Sequence, residues 1–291
     1  MHDRPILGHM LFGISVTPYA EAYPQLVEQV LTAERLGLEI VGIQDHPYQR
    51  RFLDTFALIA SLLAQTERIR FFPDVASLPM RPPAMIAKAA ASLDVMSGGR
   101  FELGLGAGAF WDAVQGMGGR VRQRGERLPA LEEAFDIIRG ALDVGPERRV
   151  VRGGGEFYQP HMYPPGPATA HRVEIWIGAM STGALELIGR KADGWIPGGG
   201  ISKMADFARL NAIIDRAAVH AGRDATAIRR IANLSGAPLD DARPWIDVLR
   251  QLTTESGIDG LVFWPTDAGT TEIERFANEV VPAVREGETG Q

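Results

Sequence analysis

Short runs of apolar and β-branched residues alternate along the chain with longer segments whose apolar positions recur at helical spacing. Strands are predicted at eight places: 10–16, 40–44, 69–75, 100–107, 173–178, 194–197, 228–235 and 260–265. Helices are predicted to begin near Tyr23, Asp54, Pro83, Glu126, Thr182, Lys203, Asp240 and Thr271. Eight βα units in 291 residues indicate an α/β fold, a (β/α)8 TIM barrel. A doubly wound open sheet is the alternative.

Two connections are too long for simple loops, residues 110–125 and 143–172. The first is rich in glycine and lacks a regular apolar period, and the second contains a predicted β-hairpin at 149–158. No second domain is visible in the pattern. Residues 1–291 are therefore predicted to form one barrel domain with both insertions at its C-terminal face.

Composition narrows the class of protein. The chain is 45% apolar and 23% charged with a net charge of −6, which argues against a nucleic-acid partner. It contains no cysteine, which excludes disulfides and thiolate metal sites, and no metal is expected. Neither a signal peptide nor an apolar run of ~20 residues is present, so a cytoplasmic protein without membrane contact is expected.

Alternate glycines end the fourth predicted strand. Gly98 and Gly99 are placed to stop the preceding helix, and Gly104, Gly106 and Gly108 then fall on one face of the strand. Either a flat ring approaches the backbone there, or the glycines accommodate a bulge or a crowded barrel interior. A dinucleotide fingerprint is rejected, because no amphipathic helix opens at these glycines.

The C-terminal ends of barrel strands are where catalytic groups collect. Asp45 and His46 follow the second strand, and such a pair can exchange a proton near neutral pH. A histidine that only bonds a neighbouring loop is the alternative. Residues 177–183 lead into a helix with small and hydroxyl side chains, so they either bind a phosphate or let Ser181 or Thr182 cap the helix.

Other enzyme classes lack their motifs. The chain has no Walker A lysine motif, no H-E-x-x-H zinc helix and no G-x-S-x-G elbow. A bound organic cofactor is therefore favoured.

Residues 93–108, Leu-Asp-Val-Met-Ser-Gly-Gly-Arg-Phe-Glu-Leu-Gly-Leu-Gly-Ala-Gly, resemble the signature of the bacterial luciferase-like monooxygenase superfamily. Asp45-His46, 177–179 and 192–195 are similar to other landmarks of that superfamily, and the likeness covers nearly the whole chain. Its members are flavin- or deazaflavin-dependent oxidoreductases on a (β/α)8 barrel.

The resemblance implies a tricyclic ring across the strand ends, beside a bulge with a non-prolyl cis peptide at Asp74-Val75. The residues it implies for cofactor binding are Asp45, Asp74, Val75, Ser77, Gly106, Ala107, Gly108, Gly178, Ala179, Met180 and Trp195. It implies His46, with Asp45, in catalysis. Aromatic residues that would line an apolar substrate pocket are Phe12, Tyr48, Trp111 and Trp264.

The first functional hypothesis is hydride transfer between coenzyme F-420, a deazaflavin, and a small organic substrate. The Asp45-His46 pair is similar to that of deazaflavin-dependent sugar-phosphate dehydrogenases, but Ala109 stands where those enzymes carry glutamate, which argues against a sugar phosphate. An FMN-dependent monooxygenase is the alternative, since FMN can support oxygen activation. A non-catalytic flavin- or deazaflavin-binding protein and a cofactor-free lyase or isomerase are further alternatives. Family likeness implies a homodimer.

Overall fold

The computed structural model describes residues 10–144, 155–160, 163–198, 206–234, 239 and 241–289. Its strands are β1 Leu11–Val16, β2 Ile40–Ile43, β3 Arg70–Pro73, β4 Ala76–Ser77, β5 Leu103–Gly106, β6 Ile175–Gly178, β7 Gly194–Ile196, β8 Arg229–Leu234 and β9 Gly260–Phe263. All pair in parallel, in the order β3-β2-β1-β9-β8-β7-β6-β5-β4. A parallel bridge between Phe71 and Phe101 joins the two ends of the sheet. The predicted parallel (β/α)8 barrel is confirmed.

The helices lie between successive strands. They are α1 Tyr23–Arg35, α2 Thr55–Leu63, α3 Pro83–Ser97, α4 Trp111–Gly116, α5 Arg127–Leu142, α6 Thr182–Lys191, α7 Phe207–His220, α8 Ala242–Ser256, α9 Thr271–Arg275 and α10 Val281–Thr289. Six of the predicted helix starts agree with the structure to within one residue. The other two, Lys203 and Asp240, lie outside the described residues. No helix in the described part of the chain is long and apolar enough to cross a bilayer.

Both faces of the barrel strands are buried, as expected for parallel strands covered by helices. Side chains that fill the barrel axis come from six strands: Ile40, Phe72, Trp176, Ile196, Ile231 and Val262. The larger apolar cluster lies between strands and helices. Phe12 belongs to that outer cluster, where its ring packs against Phe276 and lies under the Arg285 guanidinium. The prediction that Phe12 lines the substrate pocket is therefore wrong.

The third barrel strand is broken into β3 and β4. The peptide between Asp74 and Val75 at the break is cis, which confirms what the resemblance implied. The Val75 side chain lies over the glycines of the neighbouring strands: a Cβ at Gly106 would be 2.7 Å from Val75 Cγ2, and one at Gly178 would be 3.0 Å from it. The glycines therefore make room for Val75 and the broken strand, which is the crowded-interior alternative, and a ring would contact Val75 rather than bare backbone.

Replacing Gly104 by alanine is expected to destabilise the barrel. A Cβ at Gly104 would be 2.1 Å from the Pro73 carbonyl oxygen, so the backbone before the break would have to move. Overpacking of this kind costs about 2 kcal/mol of unfolding free energy, measurable by urea denaturation. Gly116→Ala is the matched control, because a Cβ there meets nothing within 4 Å. Equal stability of the two variants would contradict the close packing at Gly104.

The first half of the signature segment, residues 93–108, forms part of the barrel scaffold and does not reach the C-terminal face. Gly98 ends α3 in the left-handed conformation (φ 69°), as predicted. The Arg100 guanidinium then donates to the carbonyl oxygens of Leu63 at 2.8 Å and Ile69 at 3.2 Å, and so joins the end of α2 to the start of β3. Only the last residues of the segment, from Gly106, reach the C-terminal face.

The first insertion contains the short helix α4, which the aperiodic sequence did not predict. The basic stretch of this insertion, residues 120–124, packs against the second insertion. Arg122 is buried, and its guanidinium lies 4.9 Å from the Phe157 ring centroid and 4.8 Å from the Tyr158 ring centroid. Most of the hairpin predicted at 149–158 lies outside the described residues.

Candidate active site

A cleft opens where the barrel strands end. It consists of two adjoining cavities of about 390 Å³ and about 260 Å³, which share His46, Asp74, Val75 and Gly178. Most residues predicted for the site line it: Asp45, His46, Tyr48, Asp74, Val75, Ser77, Gly106, Ala107, Gly108, Gly178, Ala179, Met180 and Trp264.

Two of the predicted tryptophans, Trp111 and Trp195, are not among the lining residues of this cleft. Trp195 is fully buried on the helix side, where it packs against Phe207, and its indole N–H donates to the Ala179 carbonyl oxygen at 2.7 Å. Trp111 lies under the Arg127 guanidinium, 4.4 Å from the ring centroid. Trp195 therefore positions the backbone of Ala179. It is too deeply buried to contact a cofactor in the cleft directly.

His46 stands on the loop after β2, between two other aromatic rings. Its Nδ1 and the Tyr48 hydroxyl are hydrogen-bonded at 2.7 Å, and Phe110 packs edge-on against it at 5.5 Å between centroids. Nε2 has no hydrogen-bond partner among the described residues. Burial lowers the pKa of His46, against the opposing charge of Asp45, so the ring is mainly neutral at pH 7. Burial raises the pKa of Tyr48 to about 12, so its phenol keeps its proton.

Asp45 is turned away from its neighbour in sequence. Its Oδ2 accepts from the Ser77 N–H at 2.8 Å and from Arg81 Nη1 at 2.6 Å, and no hydrogen bond joins it to the His46 ring. Burial raises the pKa of Asp45, while the charge of Arg81 opposes that rise. Asp45 therefore fixes the loop that carries His46 instead of exchanging a proton with it directly. Arg81 also binds Asp54 at 2.5 Å, and the sequence interpretation missed this arginine.

A second carboxyl group lies at the floor of the cleft. Asp74 Oδ1 accepts from Asn233 Nδ2 at 3.1 Å, and Asn233 Oδ1 in turn accepts from the Trp264 indole at 3.4 Å. Burial raises the pKa of Asp74 to about 6, against the hydrogen bond from Asn233 and the nearby Ser15 hydroxyl, which favour the charged form. Asn233 was missed, although a polar residue near the end of a predicted strand was a usable signal.

The sixth strand leads into α6 through Gly178 and Ala179. Ser181 occupies the N-cap position with extended backbone, but its side chain makes no capping hydrogen bond. The predicted side-chain cap is therefore absent at Ser181. The amides of the first helical turn remain available to an anionic group, which the helix dipole also favours.

These residues fit a flat heterocycle with hydrogen-bond donors on its edge. Val75 and residues 106–108 form one side of the cleft. Two carboxylate oxygens, Asp45 Oδ1 and Asp74 Oδ2, are closed to solvent and have no hydrogen-bond partner among the residues that the structure describes. Buried acceptors of this kind are normally paired, so a bound N–H or O–H group would complete them.

Two relatives, one uncharacterized and one with a named activity, are similar to this chain in sequence. An uncharacterized protein of Mycobacterium tuberculosis is 35% identical over 192 residues, which is 66% of this chain and 63% of that relative, so the match spans less than two thirds of its length. The 5,10-methylenetetrahydromethanopterin reductase of Archaeoglobus fulgidus is 29% identical over 284 residues, 95% of this chain and 77% of the reductase.

Solved structures share the fold. An F-420-dependent secondary alcohol dehydrogenase superposes with a TM-score of 0.80 at 18% identity, covering 95% of this chain and 99% of the other. A riboflavin lyase with modified FMN superposes with a TM-score of 0.76 at 14% identity, covering 96% of this chain and 92% of the other. Proteins of this fold therefore include F-420-dependent and FMN-binding examples.

A family model described as luciferase-like monooxygenase matches residues 8–266. The matched range includes the whole cleft, from β1 to β9. The chain belongs to the luciferase-like monooxygenase family of oxidoreductases.

Proposed function

We propose that this chain binds coenzyme F-420 in the cleft and transfers hydride between that deazaflavin and a small organic substrate. The observation that carries the proposal is His46, a neutral imidazole at the cleft with Nδ1 bonded to Tyr48 and Nε2 unpartnered among the described residues. When bound, the deazaflavin supplies a two-electron hydride donor or acceptor.

The chain offers different groups to the ring and to the tail of such a cofactor. Val75 and residues 106–108 give the ring a surface, and Asp45 Oδ1 is an acceptor for donors on its edge. The amides at the start of α6 suit the anionic tail. Trp195, through its bond to Ala179, holds this part of the backbone in place.

His46 acts as the general acid–base group for the substrate. In the oxidative direction, Nε2 accepts the proton of a substrate hydroxyl or amine as hydride leaves carbon. The Tyr48 oxygen can accept from Nδ1–H, which leaves the lone pair on Nε2 in this tautomer. In the reductive direction the same atom returns the proton.

The choice of F-420 over FMN rests on the Asp45-His46 pair and on relatives. F-420-dependent glucose-6-phosphate dehydrogenases, 26–28% identical, and the F-420-dependent secondary alcohol dehydrogenase of the same fold support it. The structural neighbour solved with modified FMN, together with the family, makes an FMN-dependent monooxygenase the alternative.

Cofactor identity tests the proposal. The protein is expressed in a host that makes deazaflavin, and any copurifying cofactor is identified by absorbance and mass. The apoprotein is then titrated with F-420 and with FMN, and we expect F-420 to bind at least about tenfold more tightly, a difference of ~1.4 kcal/mol. Tight FMN binding without affinity for F-420 would establish the alternative.

A cleft variant shows where the cofactor binds. Ala107→Trp fills the cleft and is expected to abolish F-420 binding, whereas Ala208→Trp on the exposed side of α7 leaves it unchanged. Equal binding by both variants would place the cofactor elsewhere.

A further inference from the structure

The Asp74 carboxyl group is unusually isolated for a charged group inside a barrel. Asn233 donates a hydrogen bond to its Oδ1, and Oδ2 is closed to solvent and has no hydrogen-bond partner in the described part of the chain. The nearby Ser15 hydroxyl donates to the Gly42 carbonyl oxygen at 3.2 Å. A Cβ at Gly42 would lie 3.0 Å from Asp74 Oδ2, so the absence of a side chain there makes room for the carboxyl group.

No cation balances Asp74 among the described residues. The other acid of the cleft, Asp45, is paired with Arg81, whereas Asp74 forms no ion pair in the described part of the chain. Described residues that line the larger cavity include no lysine or arginine, and its titratable members are His46 and Asp74. Its walls are otherwise mainly apolar or aromatic, with Met180, Ile196 and Trp264 among them.

We infer that Asp74 recognises a protonated amine on the substrate, so that the substrate class is a small organic ammonium compound. The inference rests on the proposed function, which places the cofactor ring against Val75 and its tail at the start of α6, and leaves to the substrate the part of the larger cavity beside Asn233 and Trp264. An ammonium group would give Asp74 Oδ2 the charge-assisted hydrogen bond that it lacks. The Trp264 indole, which lines the same cavity, adds a favourable face for a cation.

Other ligand chemistries complete the site less well. A carboxylate or phosphate would meet an unbalanced negative charge, and a neutral hydroxyl would form a weaker bond than a cation does. Burial raises the pKa of Asp74 to about 6, so most of the group is charged at pH 7.5 and most is neutral at pH 5. His46 gains charge over the same interval, and Asn233 and Ser15 do not titrate.

Three probes of similar shape and different charge test the inference: benzylamine, benzyl alcohol and benzoate. Their affinities are measured by calorimetry at pH 7.5 on the protein with and without coenzyme F-420. We expect benzylamine to bind at least about tenfold more tightly than benzyl alcohol, and benzoate to bind most weakly. In Asp74→Asn the preference for the amine should fall to about twofold or less. Asp112→Asn, which removes an exposed acid outside the cleft lining, should keep the full preference.

A second variant and a pH comparison separate charge from folding. Asp74→Ser should lose the preference as Asp74→Asn does. Wild-type protein should lose it between pH 7.5 and pH 5 by a larger factor than Asp74→Asn, in which His46 is still present. This difference assigns the pH effect to Asp74.

Each failure has its own signature. Equal affinities for amine and alcohol, no benzylamine binding at about 1 mM, or a preference that survives Asp74→Asn would overturn the inference. Weakened F-420 binding in Asp74→Asn with an unchanged amine preference would also overturn it, because the carboxylate would then face the cofactor. If the wild-type protein does not bind F-420 but prefers the amine, the proposed function is refuted and the inference about Asp74 stands.

Discussion

Replacing His46 by alanine is expected to lower turnover by roughly 10²- to 10⁴-fold, the usual contribution of a positioned acid–base group. Cofactor affinity should stay within about twofold, because Val75 and the side of the cleft formed by residues 106–108 accommodate the ring independently of the imidazole. Stopped-flow reduction of bound F-420 measures the first quantity, and fluorescence titration of F-420 measures the second.

The pH profile supplies a further readout of His46. Since burial lowers its pKa below 6.5, the oxidative rate should rise with pH along a limb below 6.5 and reach a plateau near pH 7. The limb should disappear in His46→Ala. His220→Ala, at an exposed position on α7, is the control and should keep both the rate and the limb. Undiminished turnover in His46→Ala would remove this residue from catalysis, and loss of cofactor binding would make its role structural.

The barrel was readable from the sequence because each strand is a compact apolar run followed by a helical pattern. Each predicted strand is one to three residues too long at one end or at both, because apolar residues often flank the paired segment. The break in the third strand was different: residues 69–75 are mainly apolar up to Asp74, and the pattern was read as one continuous strand although Pro73 precedes the interruption. The resemblance to a known family, and not the pattern, indicated it.

The alternate glycines of a strand predicted where another group packs closely against it, but they did not identify that group. The glycines of β5 predicted that something packs against the strand, and the structure shows Val75 and the Pro73 carbonyl oxygen there. Phe12 was misplaced for a related reason. When both faces of a strand are buried, a period of two does not distinguish the barrel axis from the helix side.

Site residues that sequence reasoning missed are those whose roles depend on distant partners. Arg81 meets Asp45 across 36 positions, and Asn233 meets Asp74 across 159. Phe110 lies beside His46 with left-handed backbone (φ 52°), a conformation that its residue type does not suggest. Such groups are brought together only when the barrel closes, so no local spacing encodes them.

The signature segment illustrates the difference between recognition and chemistry. It identified the family, yet Asp94 and Glu102 within it do not line the described cleft. They bind His171, with Nδ1 at 2.6 Å from Asp94 Oδ1 and Nε2 at 3.1 Å from Glu102 Oε1. The segment is therefore as informative about stability as about cofactor binding.

Replacing His171 by leucine is expected to lower the unfolding free energy by about 3 kcal/mol at pH 6.5, because two buried carboxylates lose a charged partner. Burial lowers the pKa of His171, but the hydrogen bonds and charges of Asp94 and Glu102 outweigh burial and raise it to about 10. A folded-state pKa above the unfolded value near 6.5 stabilises the fold fully below pH 6.5. That contribution declines as pH rises and is lost at about pH 10.

The difference between wild type and His171→Leu should therefore shrink from pH 6.5 to pH 10.5, as measured by urea denaturation at both values. Subtracting the variant from the wild type removes the titration of groups common to both proteins. His220→Leu should show no comparable difference at either pH, since His220 is exposed and contacts only the Arg216 carbonyl oxygen among the described hydrogen bonds. A difference that is the same at both pH values would mean that His171 stabilises the barrel by packing rather than by charge, because only the charged imidazolium responds to this change in pH.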